Sequence, residues 1–113
     1  MNILLLCDEL MSRTRLASAW KQAGATVIKS VDGTTPDYIV VDLTARDALE
    51  RVAQWRAAFP SVDILAFGPH VEGDKLSAAK AAGASELAAR GSVLERVVKA
   101  IAHRRTPTSS TSN

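Results

Sequence analysis

Acidic side chains follow two of the most apolar stretches of this chain. Asp8 and Glu9 come directly after residues 3–7, and Asp42 ends the stretch at residues 38–41. Two carboxylates that meet at one edge of a sheet repel each other unless a cation or a basic side chain lies between them. Oxygen ligands of this kind suit a hard ion such as Mg²⁺, so Asp8 and Asp42 form a candidate metal site. The alternative is that each aspartate caps the helix that follows it.

Other candidate site residues follow two further apolar stretches. Gly68, Pro69 and His70 come after residues 64–67, and Arg90 follows a short fifth stretch. Apolar stretches without polar alternation are typical of strands that are covered on both faces, as in a parallel sheet. Ligands of such a sheet bind beyond the carboxyl ends of its strands. We therefore expect these residues and the two aspartates to lie at one edge of the sheet.

Segments with a helical period separate the apolar stretches and predict the order β-α-β-β-α-β-α-β-α. The predicted strands lie near residues 2–7, 26–30, 38–42, 63–67 and 86–88. Only seven residues, from Val31 to Asp37, join the second and third strands, whereas a parallel crossover normally needs about a dozen or more. Either the crossover helix has shrunk to a turn, or these two strands form an antiparallel hairpin. The regular alternation elsewhere favours the shrunken crossover.

The helix after the third strand has a recognisable beginning and end. Thr44 and Asp47 are spaced as in a capping box, with Asp in place of the usual Glu, which predicts that Thr44 caps this helix. The helix should end before Pro60. At the end of the chain, the Ser- and Thr-rich tail has no apolar residue to bury. We therefore predict a folded domain over residues 1–103 and a disordered tail over residues 104–113.

The composition excludes several classes of protein. The chain has 113 residues, a net charge of +2 and 47% hydrophobic residues, as expected of one globular domain. Its single cysteine excludes an internal disulfide, and its two histidines lie too far apart to favour a zinc site. No apolar stretch near the start is long enough to span a bilayer. We expect a soluble cytoplasmic domain with no membrane partner.

The positive charge is concentrated at one end of the chain. Residues 1–89 carry nine basic and eleven acidic side chains, whereas residues 90–113 carry five basic and one acidic. A basic end of this kind could contact nucleic acid. It lacks interleaved aromatic residues and any recognition motif, so a solvated helix face is the better interpretation, and we predict no nucleic-acid partner.

Three segments of the chain are similar to the receiver domain of bacterial two-component response regulators. They are ILLLCDE at residues 3–9, PDYIVVD at residues 36–42 and AAGASE at residues 81–86. The resemblance covers residues 2–103. It implies a flavodoxin-like α/β domain with a five-stranded parallel sheet in the order 2-1-3-4-5. Helices would cover both faces, with the second helix shortened or missing.

The resemblance also assigns positions in a phosphoryl pocket. Asp42 stands where receivers carry the aspartate that accepts a phosphoryl group. Of the two acids that help to hold Mg²⁺ after the first strand, the second is present as Asp8 and the first is replaced by Cys7. The Ser or Thr that contacts the phosphoryl group is replaced by Gly68. These replacements remove one metal-binding carboxylate and one hydroxyl.

Two further departures concern the donors around the phosphoryl group. Pro69 has no backbone N–H to offer to a phosphoryl oxygen. The lysine of the family is replaced by Arg90, which keeps the positive charge and can bridge carboxylates with its planar fork. Arg90 could pair with Asp42 or with Asp8 in place of a metal. We expect a degenerate receiver whose pocket is closed by its own charges and that has no resident cofactor. An open pocket would instead allow Mg²⁺ to bind.

Two nearby residues have both a chemical and a simpler interpretation. Cys7 could be a redox sensor if Arg90 lowered the pKa of its thiol, but a cysteine at the end of a buried strand is more often a small core residue. His70 could contact a ligand, but a solvated loop histidine is the simpler interpretation.

The sequence is consistent with three functions. The first is a stand-alone signalling module that is not an enzyme. It would contact another signalling protein, or a second copy of itself, through its last two helices and the strand between them. On this face the resemblance places residues 77–81, Glu95, Arg96 and Lys99. The second is a phosphorylatable single-domain regulator with Asp42 as phosphoacceptor. The third is a small-anion or nucleotide sensor in which Arg90 clamps the anion.

Overall fold

The computed structural model describes residues 1–31, 33–68 and 73–105 of the chain. Five strands alternate with four α-helices in these residues. In chain order they are β1 (Asn2–Leu6), α1 (Leu10–Gln22), β2 (Thr26–Ile28), β3 (Tyr38–Asp42), α2 (Ala48–Ala58), β4 (Asp63–Gly68), α3 (Gly73–Ala82), β5 (Glu86–Ala89) and α4 (Val93–Arg105). A short 3-10 turn, Arg90–Ser92, joins β5 to α4.

The strands form one parallel sheet in the order β2-β1-β3-β4-β5. All five residues of the central strand β3 are buried. Because helices cover both faces, the strands carry apolar residues on both sides, which explains why the sequence shows continuous apolar stretches. The predicted flavodoxin-like fold and its strand order are confirmed.

Two hydrophobic cores lie on opposite faces of the sheet. On one face α1 and α4 pack against the strands, and Trp20, Phe67 and Ile101 are almost fully buried. On the other face α2 and α3 cover a core that includes Val52 and Ile64. Each fully buried large side chain contributes roughly 1.5–3 kcal/mol relative to exposure. The carboxyl ends of the strands are thus held between two rigid layers.

The connection between β2 and β3 is a crossover and not a hairpin. Strand β1 lies between β2 and β3 and is parallel to both. None of the described residues between Ile28 and Tyr38 is helical, as expected from the prediction of a shortened or missing second helix. Asn2 and Asp37 fasten the end of the connection, since Asp37 N–H donates to the Asn2 carbonyl and Asn2 N–H donates to the Asp37 carboxylate.

The predicted capping box is wrong. Helix α2 begins at Ala48, and the residue before it, Asp47, has a left-handed backbone with φ of 57° and makes no capping bond with its side chain. Thr44 lies outside the helix and donates to Asp42 instead. The physical reason is the strength of the two competing hydrogen bonds. The bond from the Thr44 hydroxyl to the charged carboxylate is stronger than the bond that the hydroxyl would accept from a helix N–H.

The last helix extends through Arg105, two residues beyond the predicted end of the domain. Residues 106–113 lie outside the described part of the chain, so the disordered tail stays a prediction. Within the described ranges, no helix combines the length and the apolar character needed to cross a membrane.

Candidate functional site

Asp42 is the central residue of the candidate site. It ends β3, and its side chain is only 1% exposed. Its Oδ1 atom accepts three hydrogen bonds: from the Thr44 N–H at 2.9 Å, from the Thr44 hydroxyl at 2.7 Å and from the Arg90 guanidinium at 3.0 Å. The two bonds from Thr44 form the local turn in which an aspartate binds the residue two positions on. The carboxylate is therefore held both from its own loop and from the turn after β5.

Arg90 reaches Asp42 from the turn after β5. Its guanidinium forms an ion pair with Asp42 and also donates to the Thr44 hydroxyl at 3.3 Å. The Cζ atom lies 5.3 Å from the centroid of the Phe67 ring, a favourable position for a cation. Of the two aspartates that could receive Arg90, Asp42 is its partner. The guanidinium thus balances the charge of the buried Asp42 carboxylate.

Cys7 closes the other side of the carboxylate. Its side chain is 3% exposed, and its thiol donates to Oδ2 of Asp42 at 3.5 Å. Burial raises the pKa of the Cys7 thiol to about 11, and the nearby Asp42 carboxylate adds to the rise because it repels a thiolate. Arg90 acts in the opposite direction but more weakly. A buried thiol with a raised pKa favours the interpretation of Cys7 as a small core residue over that of a redox sensor.

Asp8 is exposed and accepts a hydrogen bond from the Arg46 N–H at 2.8 Å. This contact ties the end of β1 to the loop before α2. Glu9, and not Asp8, caps α1, because its carboxylate accepts from the N–H of Ser12 at 2.8 Å. Hydrogen bonds from Ser12 hold the pKa of Glu9 below its ordinary value. The interpretation of Asp8 and Asp42 as helix caps is wrong, since both accept from the loop between β3 and α2.

The donor set does not fit a resident Mg²⁺. Both oxygens of Asp42 are already engaged by Arg90, Thr44 and Cys7. Cys7 supplies a protonated thiol where a second carboxylate would be needed, and Mg²⁺ prefers oxygen ligands in an octahedral arrangement. Among the residues that the structure describes, no three His, Cys, Asp or Glu side chains are grouped as metal ligands.

The remaining predicted site residues lie at the end of β4. Gly68 is the last residue of that strand and is buried beside Leu43, whose Cβ would be 3.7 Å from an added methyl group. Pro69 and His70 lie outside the described residues. Sequence reasoning missed Thr44 as part of the site, although an aspartate followed two residues later by a threonine is a known signal for such a turn.

The fold is that of response-regulator receiver domains. No protein-family model and no curated protein matches the chain. Among solved structures, a receiver domain protein from Clostridium thermocellum is similar at 15% identity and a TM-score of 0.76, with 90% of this chain and 91% of that chain covered. A response regulator from Thermotoga maritima is similar at 19% identity and a TM-score of 0.70, with 89% and 97% covered.

A longer protein also shares the fold. The RcsB response regulator of Salmonella typhimurium is similar at 15% identity and a TM-score of 0.73, and the match covers 93% of this chain. This chain spans only 59% of that structure, which shows conformational dynamism for DNA interaction. At these identities the likeness establishes the receiver fold.

Proposed function

We propose that this protein is a receiver-like signalling module that acts by protein–protein contact and is not regulated by conventional aspartyl phosphorylation. The observation that carries the proposal is the state of Asp42, whose buried carboxylate accepts three hydrogen bonds on one oxygen and is paired with Arg90. The receiver fold supports the signalling role, and the occupied carboxylate supports the atypical regulation.

Phosphorylation of Asp42 would require these contacts to break. An attacking oxygen needs a free lone pair and access to the phosphodonor, but the Asp42 side chain is 1% exposed. Hydrogen bonds to charged groups contribute roughly 1.5–3 kcal/mol each, so the displacement of Arg90 alone is costly. The barrier to phosphotransfer rises by the same amount.

A phosphoryl group would also lack stabilising partners. It brings nearly two negative charges that need cations and donors around them. Gly68 has no hydroxyl, Pro69 has no N–H, and Cys7 cannot replace the carboxylate of a metal site. The positive group of Arg90 is already paired with Asp42. We infer that the module has no resident cofactor and no catalytic activity of its own.

The surface formed by α3, β5 and α4, which we call the α3–β5–α4 face, is the proposed contact surface. Glu95, Arg96 and Lys99 are exposed on α4. Arg96 is partly engaged, since it lies 3.6 Å from Glu86 and donates to the Leu87 carbonyl. The face is mixed in charge, which suits a weak contact with another signalling protein or with a second copy of this chain.

Intact mass after incubation with Mg²⁺ and acetyl phosphate tests the regulation. We expect no added phosphate under conditions in which a conventional response regulator, used as the positive control, becomes phosphorylated. A gain of one phosphate that disappears in Asp42→Asn would overturn the proposal and favour the phosphorylatable regulator.

Sedimentation over a range of concentrations tests the contact surface. Self-association should weaken when Glu95→Lys and Lys99→Glu are combined, because the double exchange reverses the charge at two exposed positions of this face. The net charge of the chain stays the same, so a general charge effect is excluded. If the chain associates and this variant associates equally well, another surface is responsible.

A further inference from the structure

A second charged site is lined by residues other than Asp42. It is a cavity of about 480 Å³ beside the end of β1 and the beginning of α1 and α2. Its lining residues are Leu6, Asp8, Arg13, Arg46, Asp47 and Arg51. None of the described residues in the connection between β2 and β3 lines it. The volume is within the range of roughly 300–1,000 Å³ that is typical of small-molecule sites.

The three arginines of the cavity differ from the arginines that form ion pairs in this structure. Arg90, Arg96 and Arg104 each lie within ion-pair distance of a carboxylate. By contrast, within the described part of the chain, none of the arginines that line the cavity has a carboxylate within 4.0 Å, although two aspartates line the same space. Their guanidinium groups therefore remain available to an external anion.

We propose that this cavity binds the phosphate group of a small molecule through Arg13, Arg46 and Arg51. A guanidinium presents its donors in a planar fork that matches the oxygens of a phosphate. Only one aliphatic residue, Leu6, lines the cavity, so its chemistry suits a polar ligand better than the apolar face of a partner helix. The proposal goes beyond the proposed function and does not involve Asp42.

The surrounding backbone supports an anion at this position. Helix α2 begins at Ala48, and Asp47 leaves its first amides without a side-chain cap. The beginning of a helix carries a partial positive charge that favours phosphate. The Asp8 carboxylate accepts from the Arg46 N–H and so fixes the loop from which the Arg46 side chain extends.

The two aspartates restrict the ligand. They reduce the formal charge of the lining residues to a small positive excess, which favours a compact phosphate over an extended polyanion. They also predict how the affinity for phosphate changes when one of them is substituted. Removal of the negative charge at Asp47 should strengthen phosphate binding, whereas the loss of a merely structural aspartate should not.

Titration of the full chain with inorganic phosphate and with pyrophosphate, followed by ¹H–¹⁵N NMR at constant ionic strength, tests the site. We expect saturable shifts of the amides of Arg13, Arg46 and Asp47. Arg13→Gln and Arg51→Gln should each weaken binding about tenfold, as for the loss of a charged hydrogen bond. Asp47→Asn should strengthen it.

Arg15→Gln is the matched control, since Arg15 is an exposed arginine of α1 that does not line the cavity. It should bind phosphate as the unmodified chain does. Shifts that chloride reproduces, titrations that do not saturate, or an equal loss in Arg15→Gln would overturn the proposal. So would binding that survives Arg13→Gln and Arg51→Gln but is lost in Arg90→Gln, because the anion would then lie at Asp42.

Discussion

Arg90 places a guanidinium nitrogen 3.0 Å from Oδ1 of Asp42 and thereby joins the carboxyl ends of β3 and β5. The two residues differ in exposure, since the Asp42 side chain is 1% exposed and that of Arg90 is 39% exposed. The carboxylate therefore depends on the arginine, whereas the arginine can be solvated without it. A buried charge that loses its partner typically destabilises a protein by roughly 3–5 kcal/mol.

Arg90→Met should lower the free energy of unfolding by about 2 kcal/mol, less than for a fully buried pair because water can enter from the exposed side. Urea unfolding followed by circular dichroism measures the change. Asp42→Asn removes the charge that Arg90 balances, so the loss from Arg90→Met should be smaller in that background. If the two changes are additive, the ion pair does not contribute to stability.

Stability should fall at alkaline pH because of Cys7. Its pKa is raised by burial to about 11 in the folded state, so the unfolded chain loses the thiol proton more readily. The stabilisation is fully present below about pH 9 and decreases as the pH rises towards 11, by about 2–3 kcal/mol in total. Urea unfolding in the presence of a reductant, from pH 7 to pH 11, measures this decrease.

The matched variant is Cys7→Ala, which should show a shallower decrease over the same pH range. Burial also raises the pKa of Tyr38, whose hydroxyl donates to Glu86 at 2.9 Å. Tyr38→Phe therefore serves as a second control, which separates the contribution of the Tyr38 hydroxyl to the alkaline decrease from that of Cys7. Equal pH profiles for Cys7→Ala and the unmodified chain would contradict the assignment.

The fold could be predicted because each continuous apolar stretch by itself indicates a strand that is buried on both faces. Residues 38–42 are buried on both faces, and their sequence shows no alternation. The positions of Asp8, Asp42 and Arg90 after their strands placed them at one edge of the sheet, but the sequence left open which aspartate pairs with Arg90, and the structure shows that it is Asp42. The contacts of Thr44 could not be predicted, since a helix cap and a turn to Asp42 use the same residue types. Only the packing of the loop against the buried carboxylate decides between them.

The phosphate cavity could not be predicted from the sequence for a different reason. Arg13 lies on α1, Arg46 in the loop before α2, and Arg51 on α2. No local spacing connects three segments that only the folded sheet brings together. The turn at Gly83 is an intermediate case, because the family resemblance singled out its sequence but not its partner Arg56.

Thr44→Val should lower the free energy of unfolding by about 1 kcal/mol, because it removes the hydroxyl that donates to Asp42 at 2.7 Å while the branched shape is kept. Thr44→Ser keeps the hydroxyl and should lose less. Thermal unfolding of the three proteins measures the order. A valine variant as stable as the serine variant would show that the backbone N–H of Thr44 and Arg90 suffice for Asp42.

The side chain of Arg56 contacts the backbone of Gly83 in the turn into β5. The Arg56 Nε donates to the Gly83 carbonyl at 2.9 Å, and other nitrogens of the same guanidinium donate to Pro60, Val62 and Ser85. Gly83 has φ of +130°, and an added Cβ would lie 2.8 Å from Cβ and Cγ of Arg56. Neither the backbone nor the space accepts a side chain.

Gly83→Ala should therefore lower the free energy of unfolding by about 2 kcal/mol or more, through backbone strain and displacement of Arg56. Gly91→Ala is the matched control, since an added Cβ there meets nothing within 4 Å and the φ angle is not in the left-handed region. It should change stability by less than about 0.5 kcal/mol. Urea unfolding of both variants measures the difference. Equal losses would mean that the close approach of Arg56 to Gly83 is not what the turn requires.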